Sequence, residues 1–276
     1  MAGTEKKAVE QSPLGKQSEY VDQYDASLLF PIPRQESRDH TGYGLNTAVY
    51  GEDIWNGYEI SWLDSRGKPE VRIAEIRIPA VSDFLIESKS LKLYLNSFNQ
   101  TRFESEQQVL DRMVADLSVV AREPVIVSFL SLDHDWAKAP SADCLDTLPV
   151  SITQYEPDAS LLDIEPGADW NGWVCSHLLK SNCPVTGQPD WGSVYIHYHG
   201  DKIRPESLLA YIVSMRQHQG FHEQCVEQVF SDIITHCRPQ ELTVCARYVR
   251  RGGLDINPVR STRHTAPFPN FRLNRQ

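Results

Sequence analysis

Apolar residues recur along the chain with two different periods, and the alternation between them predicts its elements. In the first half, Tyr58 to Trp62 and Val71 to Ile78 alternate as strands do, and Phe84 to Leu95 alternates well enough for a third. Val109, Leu110, Met113, Leu117 and Val120 then fall at helical spacing, which predicts a helix over Glu104 to Val120. Ser105 and Gln108 supply a capping box at its start. Pro124 to Leu132 reads as a buried strand. In the second half, Trp173 to Leu179 and Trp191 to His199 read as strands. Pro205 to His218 is a predicted helix, with proline at a favoured first-turn position and an apolar face of Leu208, Leu209, Tyr211, Ile212 and Met215. Gly220 breaks that pattern, a second helix covers His222 to His236, and Gln240 to Arg250 is a strand ended by Gly252-Gly253. Strand, strand, helix, helix, strand describes an antiparallel sheet backed by helices, an α+β fold. The halves are alike in element order but without evident sequence identity, which suggests a duplicated architecture.

Residues 1–45 are polar and turn-rich apart from Leu28-Leu29-Phe30-Pro31-Ile32-Pro33, whose prolines favour an extended segment. They form an arm, followed by a first module over 46–165 and a second over 166–276. The Asp-, Pro-, Ser- and Ala-rich stretch 137–168 marks the boundary. No window approaches the roughly 20 apolar residues of a membrane span. The start, Met1-Ala2-Gly3-Thr4-Glu5-Lys6-Lys7, lacks the apolar core of a signal peptide, so a cytoplasmic protein is expected. The six cysteines show no C-x-x-C spacing and are expected as free thiols. A net charge of −10 argues against tight non-specific nucleic-acid binding and favours a small-molecule substrate.

Cys183 stands out, in Lys180-Ser181-Asn182-Cys183-Pro184-Val185-Thr186-Gly187-Gln188-Pro189-Asp190. A thiol in a turn-forming stretch between strands is suited to display as a nucleophile. Asp190, seven residues on, is a potential proton donor if the loop folds back, or it only closes the turn. His222 and Glu223 open a helix, where a glutamate can accept from a planar N–H pair and a histidine can orient a ligand; equally, both can be plain first-turn residues. In Glu87-Ser88-Lys89-Ser90-Leu91-Lys92-Leu93-Tyr94, strand period puts Glu87 and Lys89 on one face, able to meet a polar ligand and a phosphate, or simply solvated. Arg250-Arg251-Gly252-Gly253 can contact a phosphate or merely end a strand. His197 and His199 share a strand face, and His236 and Cys237 lie near a helix end, but no set has zinc spacing, so no metal is expected. Gly42-x-Gly44 lacks a surrounding βαβ unit and is not a dinucleotide fingerprint.

Together these segments resemble the two-module type of NADPH-dependent 7-cyano-7-deazaguanine reductase, the nitrile reductase of queuosine biosynthesis. The resemblance rests on Glu87-Ser88-Lys89-Ser90-Leu91-Lys92-Leu93-Tyr94-Leu95-Asn96-Ser97-Phe98-Asn99, the Cys183 to Asp190 loop, Phe221-His222-Glu223 and Arg251-Gly252-Gly253. Leu29-Phe30-Pro31-Ile32-Pro33-Arg34 and Asp255-Ile256-Asn257-Pro258 extend it over nearly the whole chain. It implies tandem tunnelling-fold modules, a homodimer and no direct contact with tRNA. It also implies reduction of the nitrile to a primary amine by two NADPH, through a covalent thioimide on Cys183 with Asp190 as proton donor. By the same resemblance Ile86, Glu87, Ser88, His222 and Glu223 bind substrate, with one glutamate from each module on the deazaguanine N–H edge. Ser88, Lys89, Arg251 and Gly252 contact NADPH. A thiol hydrolase of a nitrile or amide, working through Cys183, Lys89 and Glu87, is one rival; a non-catalytic purine or pterin binding module is another.

Overall fold

The computed structural model describes residues 10–15, 20–44, 47–264 and 267–276. The Met1 to Lys7 segment, read above as no signal peptide, lies outside them. Two compact units emerge. One holds the residues up to Ser37, Asp53–Asp135 and Arg250–Ile256; the other holds Arg38–Glu52, Trp136–Val249 and Asn257–Gln276. A short helix, α1 (Gln35–Thr41), runs from one into the other.

The first unit contains β1 (Pro31–Pro33), most of β2 (Tyr50–Leu63), β3 (Pro69–Pro79), β4 (Phe84–Ile86) and β5 (Ile126–Leu130). β1 pairs antiparallel with β4, and β3 lies between β5 and β2. Two helices, α2 (Ser88–Ser97) and α3 (Glu106–Ala121), join the core around Trp55, Trp62, Ile76, Leu91, Tyr94 and Met113. Each such side chain contributes roughly 1.5–3 kcal/mol by leaving water. The predicted strand Phe84 to Leu95 is corrected here: only Phe84–Ile86 is extended, and the chain turns helical at Ser88. Leu91, Tyr94, Leu95 and Phe98 recur at helical spacing and all are buried, so the longer period wins over the local alternation. Ser105 does cap α3, accepting from Gln108 N at 3.2 Å, but the Gln108 side chain accepts from Glu104 N, so the box closes one residue early. β5 is an edge strand with Ile126 exposed, not a buried one.

The second unit contains β6 (Asp143–Cys144), β7 (Ile164–Ser176), β8 (Lys180–Asn182), β9 (Pro189–Ile203), β10 (Glu241–Tyr248) and the end of β11 (Leu254–Ser261). Their order is β11, β10, β9, β7, β6, with β8 also on β9. All pairings but β6 on β7 are antiparallel. Two helices, α4 (Pro205–Ser214) and α5 (His222–Cys237), pack into a core of Val194, Ile196, Tyr211, Ile212, Phe230 and Val244. α4 ends at Ser214, and Met215–Gln217 tighten into a 3₁₀ turn. β11 was not expected, because Gly252, Gly253 and Pro258 make its sequence read as loop. Glu227 on α5 is buried between Arg38 and Arg260, accepting from Arg38 Nη2 at 2.7 Å and Arg260 Nη2 at 2.8 Å.

The halves are closer in sequence than their pattern suggested. Asp25-Ala26-Ser27-Leu28-Leu29 returns as Asp158-Ala159-Ser160-Leu161-Leu162, and each forms a 3₁₀ turn. Ser-Leu-x-x-Tyr-x-x-Ser occurs at 90–97 on α2 and at 207–214 on α4. Among the described residues no helix is long and apolar enough to cross a membrane. All six cysteines are free.

Candidate active site

In the second unit, β8 and β9 form a hairpin whose register pairs Ser181 with Asp190 and Asn182 with Pro189. Cys183 continues it, its N–H donating to Gln188 O at 2.9 Å, while Gly187 N–H returns to Cys183 O at 3.0 Å. Gly187 has φ +66°, a left-handed turn that glycine makes without steric cost. Ser181 and Cys183 therefore face the same way, and Cys183 is the diagonal neighbour of Asp190 across the hairpin. The loop composition suggested an exposed thiol; instead Cys183 is 5% exposed and Asp190 7%. A water-poor setting strengthens every charge interaction made there.

The loop before α5 locks onto the same hairpin. Asn182 N–H donates to His218 O at 2.8 Å, and Gly220 N–H donates to Asn182 O at 3.2 Å. A Cβ at Gly220 would lie 2.7 Å from His218 Nε2, so a larger residue here would have to displace that ring. That Nε2 is buried without a partner, and burial lowers the imidazole pKa to about 4. Phe221 caps α5, its N–H donating to Gln224 Oε1 at 2.9 Å. His222 Nε2 then lies 3.7 Å from Asp190 Oδ1, and Glu223 is buried in the first turn. The His222 ring meets Tyr248 edge-on at 4.1 Å. The structure thus brings Cys183, Asp190 and His222 together around one hairpin and one helix start.

Sequence reasoning missed the layer beneath them. Tyr248, Ser181 and Cys225 are buried, and the Ser181 and Tyr248 hydroxyls face the Cys225 sulfur. Burial pushes the Cys225 thiol up to about 11. Strand period from Cys183 to Ser181, and one helical turn from His222 to Cys225, carry the only advance sign of this layer.

In the first unit, Glu87 is the N-cap of α2, not a strand residue. Its Oε1 accepts from Lys89 N at 2.7 Å and its Oε2 from Ser90 N at 2.8 Å. It is 1% exposed, and burial raises its pKa. Those bonds leave lone pairs on a carboxylate that has about four acceptor sites. Ile86 is buried beside it, and Ser88 Oγ donates to Glu87 Oε1 at 3.3 Å. Lys89 Nζ donates to Pro13 O at 3.0 Å. Glu87 and Lys89 therefore do not share a strand face as the alternation suggested.

Arg251, Gly252, Gly253 and Leu254 form a tight turn, with Arg251 N–H donating to Leu254 O at 2.9 Å. Gly252 has φ +61° and Gly253 φ +79°, the mirror-image turn that selects glycine. Arg251 and Gly252 are exposed, and a side chain at Gly252 would meet nothing within 4 Å. An exposed guanidinium on an open glycine turn fits the phosphate groups of a dinucleotide. The adjoining Asp255 was overlooked as an anchor: it accepts from Asn56 Nδ2 at 2.8 Å and Tyr58 Oη at 2.5 Å.

Residues 20–129 match the family described as nitrile reductase, 7-cyano-7-deazaguanine-reductase N-term, and residues 189–267 match the family described as QueF-like protein. A protein of Chromohalobacter salexigens named NADPH-dependent 7-cyano-7-deazaguanine reductase is 50% identical, over 98% of this chain and 98% of its own. Proteins of that name from Paraburkholderia phytofirmans and Paraburkholderia xenovorans are 51% and 52% identical, each over 97% of this chain and 99% of its own. A solved archaeosine synthase QueF-Like, in the apo form, overlaps 35% of this chain and 95% of its own at 16% identity and TM-score 0.30, which supports no argument. The class is that of nitrile reductases. Within it, this chain belongs to the family of NADPH-dependent 7-cyano-7-deazaguanine reductases.

Proposed function

We propose that this protein reduces the nitrile of 7-cyano-7-deazaguanine to the primary amine, giving 7-aminomethyl-7-deazaguanine for queuosine biosynthesis. Near-full-length identity of 50% and more to reductases of that name carries the assignment. The hairpin that pairs a buried thiol diagonally with a buried carboxyl supports the chemistry.

In this reading Cys183 Sγ attacks the nitrile carbon, forming a C–S bond as one C–N π bond moves its electrons to nitrogen. Asp190, protonated, delivers the proton that nitrogen needs and gives a neutral thioimide. His222, 3.7 Å from Asp190, orients the carboxyl and helps return its proton. NADPH would supply hydride when bound, once to the thioimide carbon and once to the imine carbon left after the C–S bond has broken, and a second proton, taken from solvent through Asp190, completes the amine. The expelled thiolate returns to Cys183 between those reductions, so the enzyme ends unchanged. Glu223 accepts hydrogen bonds from the ring N–H groups, and Ile86, Glu87 and Ser88 contribute substrate contacts. Ser88, Lys89, Arg251 and Gly252 hold NADPH. The reading takes the chain as tandem tunnelling-fold modules, 46–165 and 166–276 after an arm over 1–45, and the helix repeat at 90–97 and 207–214, one copy in each module, supports the duplication. A cytoplasmic homodimer without nucleic-acid contact completes the reading.

The test is stoichiometry. Product amine and oxidised NADPH, measured together, should appear in a ratio of one to two, and Cys183→Ala should abolish both. Product without NADPH would favour the thiol hydrolase.

A further inference from the structure

Away from the Cys183 hairpin, β7 and β6 bring three soft donor groups together. Cys175 lies in β7 and His177 is the first residue past its end. β6 runs parallel to β7, and Cys144 is the register partner of Cys175. Two sulfurs and one imidazole nitrogen thus lie within 4.8 Å of one another. Cys144 is exposed, which leaves an entry path, while Cys175 is buried.

The surroundings hold these groups in place. His177 Nδ1 lies 2.8 Å from Ser193 Oγ, and Arg275 Nη2 donates to the same oxygen at 3.2 Å. Ser193 Oγ can accept from both, and in that tautomer the lone pair stays on Nε2, the way an outer partner orients a ligating histidine. Asp146 accepts from Ser176 Oγ at 2.6 Å and from His177 N at 3.0 Å, which fixes the backbone between the donors.

We propose that Cys144, Cys175 and His177 form a site for a thiophilic divalent cation of the zinc class, with solvent in the fourth position. Tetrahedral sulfur and imidazole coordination suits that ion. Binding converts both thiols to thiolates and releases their two protons to solvent. The site is independent of the nitrile chemistry, and its ligand spacing in sequence gives no zinc signature because sheet register, not a local loop, assembles it.

Cobalt(II) is the probe. Titrating it into the full-length, phosphine-reduced protein should raise a thiolate-to-cobalt charge-transfer band that saturates at one equivalent and bleaches when zinc is added. Cys144→Ser, at an exposed position that tolerates the change, should weaken binding by at least about ten-fold, and His177→Gln similarly. Cys183→Ser should leave the titration unchanged. No band, a band unaltered in Cys144→Ser, or a band lost only in Cys183→Ser would each overturn the proposal.

Discussion

The two units contain the same polar frame, built twice. In the first, Asp25 caps its turn by accepting from Ser27 N at 2.9 Å, and Asp25 N donates to Ser97 Oγ at 3.1 Å. In the second, Asp158 accepts from Ser160 N at 3.0 Å and donates to Ser214 Oγ at 3.2 Å. Ser90 Oγ accepts from Phe30 N at 3.0 Å, and Ser207 Oγ accepts from Asp163 N at 3.1 Å. Tyr94 donates to Asp116 at 2.8 Å, and Tyr211 donates to Asp232 at 2.6 Å. What differs is what the frame presents. The helix that begins with buried Glu87 in the first unit begins with Arg204, which makes no side-chain cap, in the second. β2 and β3 meet through a tight turn in which Asp64 N donates to Lys68 O, whereas β8 and β9 carry the Cys183 loop. The shared residues hold the frame, and the unshared ones are free for chemistry.

That division can be broken by mutation. Cys183→Ala should lower turnover by about 10³-fold or more, the scale of a lost activated nucleophile, and leave thermal stability unchanged. A stability loss would place Cys183 in the frame. Next in size, Asp116→Ala and Asp232→Ala should each cost about 1–3 kcal/mol in urea denaturation, because each strands a buried tyrosine hydroxyl. Unequal costs would mean the two copies do not bear equal load. The smallest effect is one of pH. His218 is held neutral, with its pKa lowered from 6.5 to about 4, so the unfolded chain binds the proton first on acidification. Its contribution is present above about pH 6.5 and is lost as pH falls toward 4. His218→Gln should flatten the stability profile there; an unchanged slope would contradict the buried neutral imidazole.

Much of this frame was legible in the sequence, and the exceptions have physical causes. The long periodic runs of α3, α4 and α5 announce themselves, since a buried helix face needs several turns of apolar residues. α2 was misread because Leu91, Leu93 and Leu95 alternate locally with polar residues, although Tyr94 and Phe98 complete the helical stripe. The signature around Glu87 mixes two messages: Ser90, Leu91, Tyr94 and Ser97 repeat in the second unit, while Glu87, Ser88 and Lys89 do not. Cys183, Asp190 and His222 were singled out from loop and helix-start positions, and the hairpin and its clamp bring them together. Tyr248 and the Glu227 ion triad could not be read, because strand register and burial, not spacing, assemble them.

The central claim is that Cys183 adds covalently to the substrate nitrile. Intact-mass measurement of the protein mixed with 7-cyano-7-deazaguanine, without NADPH, tests it most directly. The account predicts a gain equal to the whole substrate, absent in Cys183→Ala and discharged as amine when NADPH is added. Tight binding with no mass gain, or an adduct that persists in Cys183→Ala, would contradict it.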